Sequence, residues 1–160
     1  LAVADRYGAP ETALLFVDLD HFKVINDTYG HDIGDAVLIE VSNCLKRCLR
    51  DSDLACRIGG DEFVAVVKLQ DADALEQLRA LSNRLLGELV KPVQLSGIEI
   101  ELSCSVGIAM RQINDDGRGL MKRADQALYE AKRQGRGRVV FYSNKGETNV
   151  SPSPVEVEIL

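Results

Sequence analysis

Arg57-Ile58-Gly59-Gly60-Asp61-Glu62-Phe63 joins two short β-rich runs, Leu54 to Ile58 and Glu62 to Val67. A Gly59-Gly60 pair suits the two-residue loop of a hairpin, whose central residues take φ > 0. The spacing therefore predicts a β-hairpin that presents Asp61 and Glu62 where it leaves the turn. Two ionised carboxylates about 4 Å apart repel by roughly 1 kcal/mol in water and about 4 kcal/mol at an intermediate effective dielectric, so a bound cation relieves them. Glycines alongside let a phosphate approach the backbone with no Cβ in the way. Acids beside bare backbone point to metal and phosphate chemistry; taken alone, the tetrapeptide also reads as an ordinary solvated hairpin.

Upstream, Ala13 to Val17 reads as a buried strand that continues into Asp18-Leu19-Asp20. If the strand persists, Asp18 and Asp20 share one face, and a strand end is a rigid mount for a metal ligand. For Asp20 the preferred reading is a cap on a short helix at His21 to Ile25. Asn26 to Asp35 is rich in turn residues, and a helix with Val37, Leu38, Val41, Leu45 and Leu49 on one face follows over Ala36 to Leu49. Asp35 stands at its predicted start, where a carboxylate favours the helix dipole. A carboxylate also matches the N1–H and N2–H2 donors of guanine, a pair that adenine lacks. In that reading Asn26 faces the O6/N7 edge.

Downstream, Asp71 to Val90 repeats Leu75, Leu78, Leu81, Leu85, Leu86 and Leu89 at helical spacing, which predicts core. Val93 to Leu102 alternates around Ser96-Gly97 as a hairpin arm, and Cys104 to Met110 reads as a buried strand. The last helix, Leu120 to Gln134, stops at Gly135 before a closing strand, Arg138 to Tyr142. Lys132 and Arg136 read either as a solvated basic face or as the positive charge a triphosphate needs. The pattern predicts an α+β domain, a central mostly antiparallel sheet flanked by helices. Neither Rossmann spacing nor a Gly-x-x-x-x-Gly-Lys loop occurs.

Length and charge narrow the options. The 160 residues suit one domain, taken as 1–142, with 143–160 reading as a linker towards a further domain at Val155 to Leu160. A chain that opens on Leu reads as an excised fragment. The net charge of −6 argues against a general nucleic-acid binder. No run approaches the ~18 apolar residues that span a bilayer, and no signal-peptide pattern opens the chain, so no membrane contact is expected from this fragment. Cys44, Cys48, Cys56 and Cys104 form no Cys-x-x-Cys pair and read as buried reduced thiols of a cytoplasmic protein, whose parent is free to carry a membrane anchor.

With both acidic landmarks placed, the chain resembles the GGDEF family, the diguanylate cyclases that join two GTP molecules into cyclic di-GMP. The match runs from Leu14 to Lys23, through Asn26 to His31 and Gly34-Asp35, then Arg57 to Phe63, Ser105 to Ala109 and Ala124 to Lys132. Several ordered motifs over about 120 residues carry it, where any one alone would be weak. The resemblance implies the palm-like fold of nucleotidyl cyclases and polymerases.

It also implies roles. Asp18 and Asp61 correspond to ligands of two catalytic Mg²⁺ ions, for which Mn²⁺ is an alternative, with Glu62 and the Leu19 carbonyl contributing. Asp61 is the candidate base. Asn26 and Asp35 correspond to guanine-reading positions; Phe22, Lys23, Gly60, Lys132 and Arg136 lie where the substrate phosphates are approached. Cyclic di-GMP has two equivalent phosphodiester bonds, so each domain would hold one GTP and act as half of a homodimer.

Arg50-x-x-Asp53 resembles the family's inhibitory product site; its ordinary reading is an exposed ion pair. A second arginine there could come from Arg79 or Arg84. The family's opening Asp-x-Leu-Thr-Gly-Leu-x-Asn-Arg stretch has no counterpart in Leu1 to Glu11, and Gly137 stands where Asn commonly follows Gly-Arg. The competing function is a catalytically silent module that binds GTP or cyclic di-GMP and controls a neighbour such as an EAL phosphodiesterase.

Overall fold

The computed structural model describes residues 12–70 and 73–143. Strand β1 (Thr12–Leu19) pairs antiparallel with β3 (Glu62–Lys68) on one side and β6 (Cys104–Met110) on the other. It thus sits at the centre of a five-stranded sheet ordered β2-β3-β1-β6-β7, with β2 (Leu54–Gly59) and β7 (Val139–Phe141) at the edges. Among the described residues only the β6–β7 pair is parallel. Strands covered on both faces read as unbroken apolar runs, which is why Ala13 to Val17 shows no alternation.

Among the described residues four helices flank the sheet: α1 (Phe22–Tyr29), α2 (His31–Cys48), α3 (Ala74–Leu89) and α4 (Gly117–Arg133). Leu15, Val17, Phe63, Ala65, Val106 and Ile108 pack on one side with Val37, Val41, Leu45, Leu78 and Leu85 of α2 and α3. On the other side α4 lays Leu120, Ala124 and Leu128 over Leu14, Phe16 and Val64. A Cβ on Gly107 would run into the α4 backbone at Ala124 and Leu128, so glycine in β6 lets the helix close onto the sheet. The β4–β5 arm (Val93–Leu95 and Ile98–Ile100) turns at Ser96 and Gly97, both at positive φ. The expected α+β class and sheet are therefore the observed ones. Among the described residues no helix is long and apolar enough to cross a membrane.

Several local expectations change. Pairing runs Arg57↔Phe63 and then Gly59↔Glu62, an irregularity that absorbs Ile58 and moves the loop to Gly60-Asp61. Gly59 is thus strand, and Asp61 lies in the turn rather than at its exit; Gly60 carries the φ of 50°. The Asn26–Asp35 stretch is helical apart from Gly30, whose φ of 89° and ψ of 163° ends α1 and starts α2. Burying Ile25, Val37 and Val41 in the core outweighs the turn preferences of Asn, Asp and Thr. Asp35 is therefore inside α2 and caps nothing.

Asp20 caps nothing either: His21 occupies the N-cap of α1 with φ 58° and no side-chain bond. Leu75 is exposed because α3 presents Leu78, Leu85 and Leu89 to the core, and Asp71, the predicted first residue of that helix, lies outside the described residues, as do Leu1 to Glu11 and 144–160. Helix α4 begins three residues early, capped by Asp116, which accepts from Gly119 N at 2.8 Å. Cys44, Cys48 and Cys104 are buried free thiols, and burial, helped by neighbouring Cys48, pushes Cys44 up to about 12. Cys56 is exposed instead, because edge strand β2 is open to solvent throughout.

Candidate active site

The antiparallel register sets Asp18 of β1 directly opposite Glu62 of β3, and Leu19 N donates to Asp61 O at 3.3 Å. The three acids thus gather at one end of the central strands. Asp18 is buried, whereas Asp61 and Glu62 are half-buried. Lys132, in the last turn of α4, reaches Asp18 Oδ2 at 2.9 Å. The Asp18 pKa nonetheless lies above its ordinary value: burial raises it most, the Lys132 bond and charge offset part of this, and Asp61 and Glu62 add to the rise.

This cluster fits a divalent cation in its charge, since one ammonium faces three carboxyl groups. Among the described residues no three His, Cys, Asp or Glu side chains converge into a ready ligand set. The arrangement therefore suits an ion such as Mg²⁺, which takes one or two carboxylates and completes its shell with water and substrate phosphate.

Asp20, two residues past Asp18, belongs to the fold. It is buried and accepts from Ser103 Oγ at 2.7 Å, Ser105 Oγ at 2.8 Å and Gly137 N at 3.0 Å. Its carboxylate pins the loop after α4, where Gly135, Arg136 and Gly137 all have positive φ. Arg136 projects from that loop, exposed. Phe22 and Lys23 occupy the first turn of α1, within the short helix expected from His21 to Ile25. The ring of Phe22 packs on the core while Lys23 is exposed, and the first N–H groups of a helix lack intrahelical acceptors.

Asn26 of α1 and Asp35 of α2 sit on neighbouring helices. Between them Gly34 is buried, and its missing side chain leaves the gap into which Asn26 Oδ1 is turned. A glycine in a helix interior costs up to about 1 kcal/mol relative to alanine. The motif was legible, but the role of Gly34 depends on how two helices cross.

Arg50 and Asp53 form a turn after α2: Arg50 N donates to Asp53 Oδ2 at 2.9 Å, and Lys68 N donates to Oδ1 at 3.1 Å. No side-chain ion pair joins the two among the described residues, so the surface-pair reading gives way to a carboxylate that holds backbone. Both residues line a cavity of about 150 Å³ together with Lys68, Gln77, Leu81 and Arg84. Arg84, whose guanidinium also bonds Cys48 O, is thus the second arginine brought to this place; Arg79 lines a separate cleft with Asp73 to Glu76. Another cleft, of about 330 Å³ between α2, α3 and the β4–β5 arm, holds none of the candidate residues. Its charged rim is paired within itself, Arg47 with Glu40 and Lys91 with Glu88.

A palm-like sheet with acids clustered at the end of β1 and the β2–β3 turn, and Lys132 brought to them by α4, defines a nucleotidyl-cyclase-like domain. The profile of the family described as "Diguanylate cyclase, GGDEF domain" matches residues 3–138. The chain belongs to the GGDEF diguanylate cyclase domain family. It is 44% identical over 143 residues to the diguanylate cyclase DosC of Escherichia coli K12, covering 89% of this chain and 30% of that protein. The GGDEF domain of PA1120 (YfiN or TpbB) from Pseudomonas aeruginosa superposes with a TM-score of 0.77 at 35% identity, covering 88% of this chain and 86% of the other. The GGDEF domain of DgcB from Caulobacter crescentus, solved in complex with c-di-GMP, gives 0.71 at 31%, with 82% and 77% covered. The chain spans 19–35% of the length of the curated relatives it matches.

Proposed function

We propose that this domain is a diguanylate cyclase that condenses two GTP into cyclic di-GMP and two pyrophosphates. The observation that carries the proposal is the meeting of Asp18, Glu62 and the Gly60-Asp61 turn beside Lys132, in a chain of this family. In each half-reaction a ribose 3′-hydroxyl attacks the α-phosphorus of the other GTP. The new P–O bond forms as the bond to the β-phosphate breaks, pyrophosphate leaves, and the hydroxyl proton passes to a base, for which Asp61 is the candidate. Bound Mg²⁺, or Mn²⁺ in its place, would supply charge neutralisation and a lowered hydroxyl pKa.

The chain's own residues bind and orient. Asp18, Asp61, Glu62 and the Leu19 carbonyl would hold the ions. Gly60 leaves the turn backbone open to phosphate, and Lys23, Lys132, Arg136 and the N–H groups at the start of α1, beside Phe22, would take the triphosphate charge. Asn26 and Asp35 would read guanine, which favours GTP over ATP. One domain holds one nucleotide, so two domains must face each other about a two-fold axis. Product bound by Arg50, Asp53 and Arg84 would hold two active sites apart, which is product inhibition.

The test incubates the domain with GTP and Mg²⁺ over a protein concentration series, with cyclic di-GMP and pyrophosphate separated by chromatography. Product rising steeply with protein concentration supports the cyclase and its paired sites. If nucleotide binds but no product forms, even in a dimerising fusion, the silent regulatory module replaces this reading.

A further inference from the structure

We infer that Gly34 is a positioning residue for nucleotide choice, the empty place in α2 that seats the Asn26 amide so that its Nδ2 is available to the O6/N7 edge of guanine. The inference rests on the guanine reading proposed above and names a residue that acts through it.

Nothing in the backbone asks for glycine at this position. Gly34 lies within α2 and is absent from the residues of positive φ. What requires it is space. A Cβ built there would overlap Asn26 Oδ1, come to 2.9 Å of Asn26 Cγ and 3.4 Å of Phe22 Cζ. Oδ1 is the end turned into the gap, which leaves Nδ2 as the end directed away from it. Guanine presents two acceptors, O6 and N7, on the edge in question, so a donor is the atom it needs. The Asn26 side chain makes no hydrogen bond to any described residue and is half-buried, so its donor is not committed elsewhere. Gly87 of α3 is the contrast: a helix glycine around which an added Cβ meets nothing within 4 Å.

The clash falls on the far end of a side chain, so Gly34→Ala should displace the amide and leave the helix intact. Binding of a non-cleavable GTP analogue and its ITP and ATP counterparts is measured by titration calorimetry, alongside Tm. Gly34→Ala should weaken GTP and ITP by about tenfold each, the order of one lost hydrogen bond. The GTP-to-ITP ratio should not move, since inosine keeps O6, N7 and N1–H and lacks only the 2-amino group. Asp35→Ala, in contrast, should collapse that ratio. Tm of Gly34→Ala should be unchanged or higher, and Gly87→Ala should leave affinity as it is.

In an Asn26→Ala background Gly34→Ala should cost nothing further. Unchanged GTP affinity in Gly34→Ala, or a full loss that persists without Asn26, would overturn the inference while leaving the guanine reading in place. If Asn26→Ala itself leaves the GTP-over-ATP preference untouched, the guanine reading fails and the inference falls with it. Should Gly34→Ala lower Tm, the double variant decides. Recovery of Tm when Asn26 is trimmed places the clash there, and no recovery assigns Gly34 to helix packing instead.

Discussion

Near the start of α4, Arg123 meets Asp115 with both terminal nitrogens, reaches Met110 O at 3.4 Å and lies 5.7 Å from the centre of the Tyr142 ring. In the last turn of the same helix, Lys132 meets Asp18 through one 2.9 Å contact. The first pair is closed. Its side chains are 13% and 11% exposed, and the Arg123 bond holds the Asp115 carboxyl below its ordinary range. The second is open: Lys132 is 34% exposed, and burial together with two neighbouring acids leaves Asp18 above its ordinary value. The first pair matches its charges, whereas the second leaves carboxyl groups in excess, the imbalance that a cation would relieve at the proposed site.

Five experiments separate the closed pair from the open one. Asp61→Ala should lower cyclic di-GMP formation about a thousandfold with circular dichroism and Tm preserved; substantial turnover would remove Asp61 from the proposed chemistry. Asp115→Ala should destabilise the domain by about 1–2 kcal/mol, because it removes the carboxylate from the half-buried Arg123 guanidinium, whose Nε has no partner among the described residues. Denaturant unfolding reads that loss, and nucleotide affinity should stay unchanged.

The pH dependence of the Asp115 pair follows from its lowered pKa. A carboxyl group whose folded pKa lies below its unfolded value of 3.8 stabilises the fold above about pH 4, and this is lost as pH falls through the folded value. The stability gap between the parent domain and Asp115→Asn should therefore narrow in acid below pH 4.

At the open end the balance reverses. Lys132→Met should change stability by less than about 1 kcal/mol yet weaken GTP about tenfold, read by calorimetry. A large stability loss without an affinity loss would make Lys132 a second structural pair. The smallest effect belongs to the distal cavity: Arg50→Ala and Arg84→Ala should each weaken cyclic di-GMP a fewfold and relieve inhibition, and Arg79→Ala should not. Product affinity that is the same in all three would return Arg50 and Asp53 to the role of a turn.

Much of the fold was legible because it depends on one-dimensional patterns. The unbroken apolar run at Ala13 to Val17 and the strand Cys104 to Met110 are observed as read, and so is the arm around Ser96-Gly97. Misreadings fall where packing competes with local preference. Asn26 to Asp35 carries turn residues yet is helical because Ile25 and Val37 reach the core. Asp20 looked like a cap because caps are local, whereas its partners Ser103, Ser105 and Gly137 lie 83, 85 and 117 residues away.

Residue identity and order set which chemistry is available: acids, glycines and cations whose family pattern does not depend on where each helix ends. Tertiary structure decided which of them meet. The β1–β3 register put Asp18 across from Glu62 while Asp20 was taken by two serines; helix crossing fitted Asn26 against Gly34; and α3 offered Arg84 rather than Arg79 to Arg50 and Asp53. Spacing along a chain reports periodicity, but distances between remote side chains are set only when buried surfaces lock the elements in register.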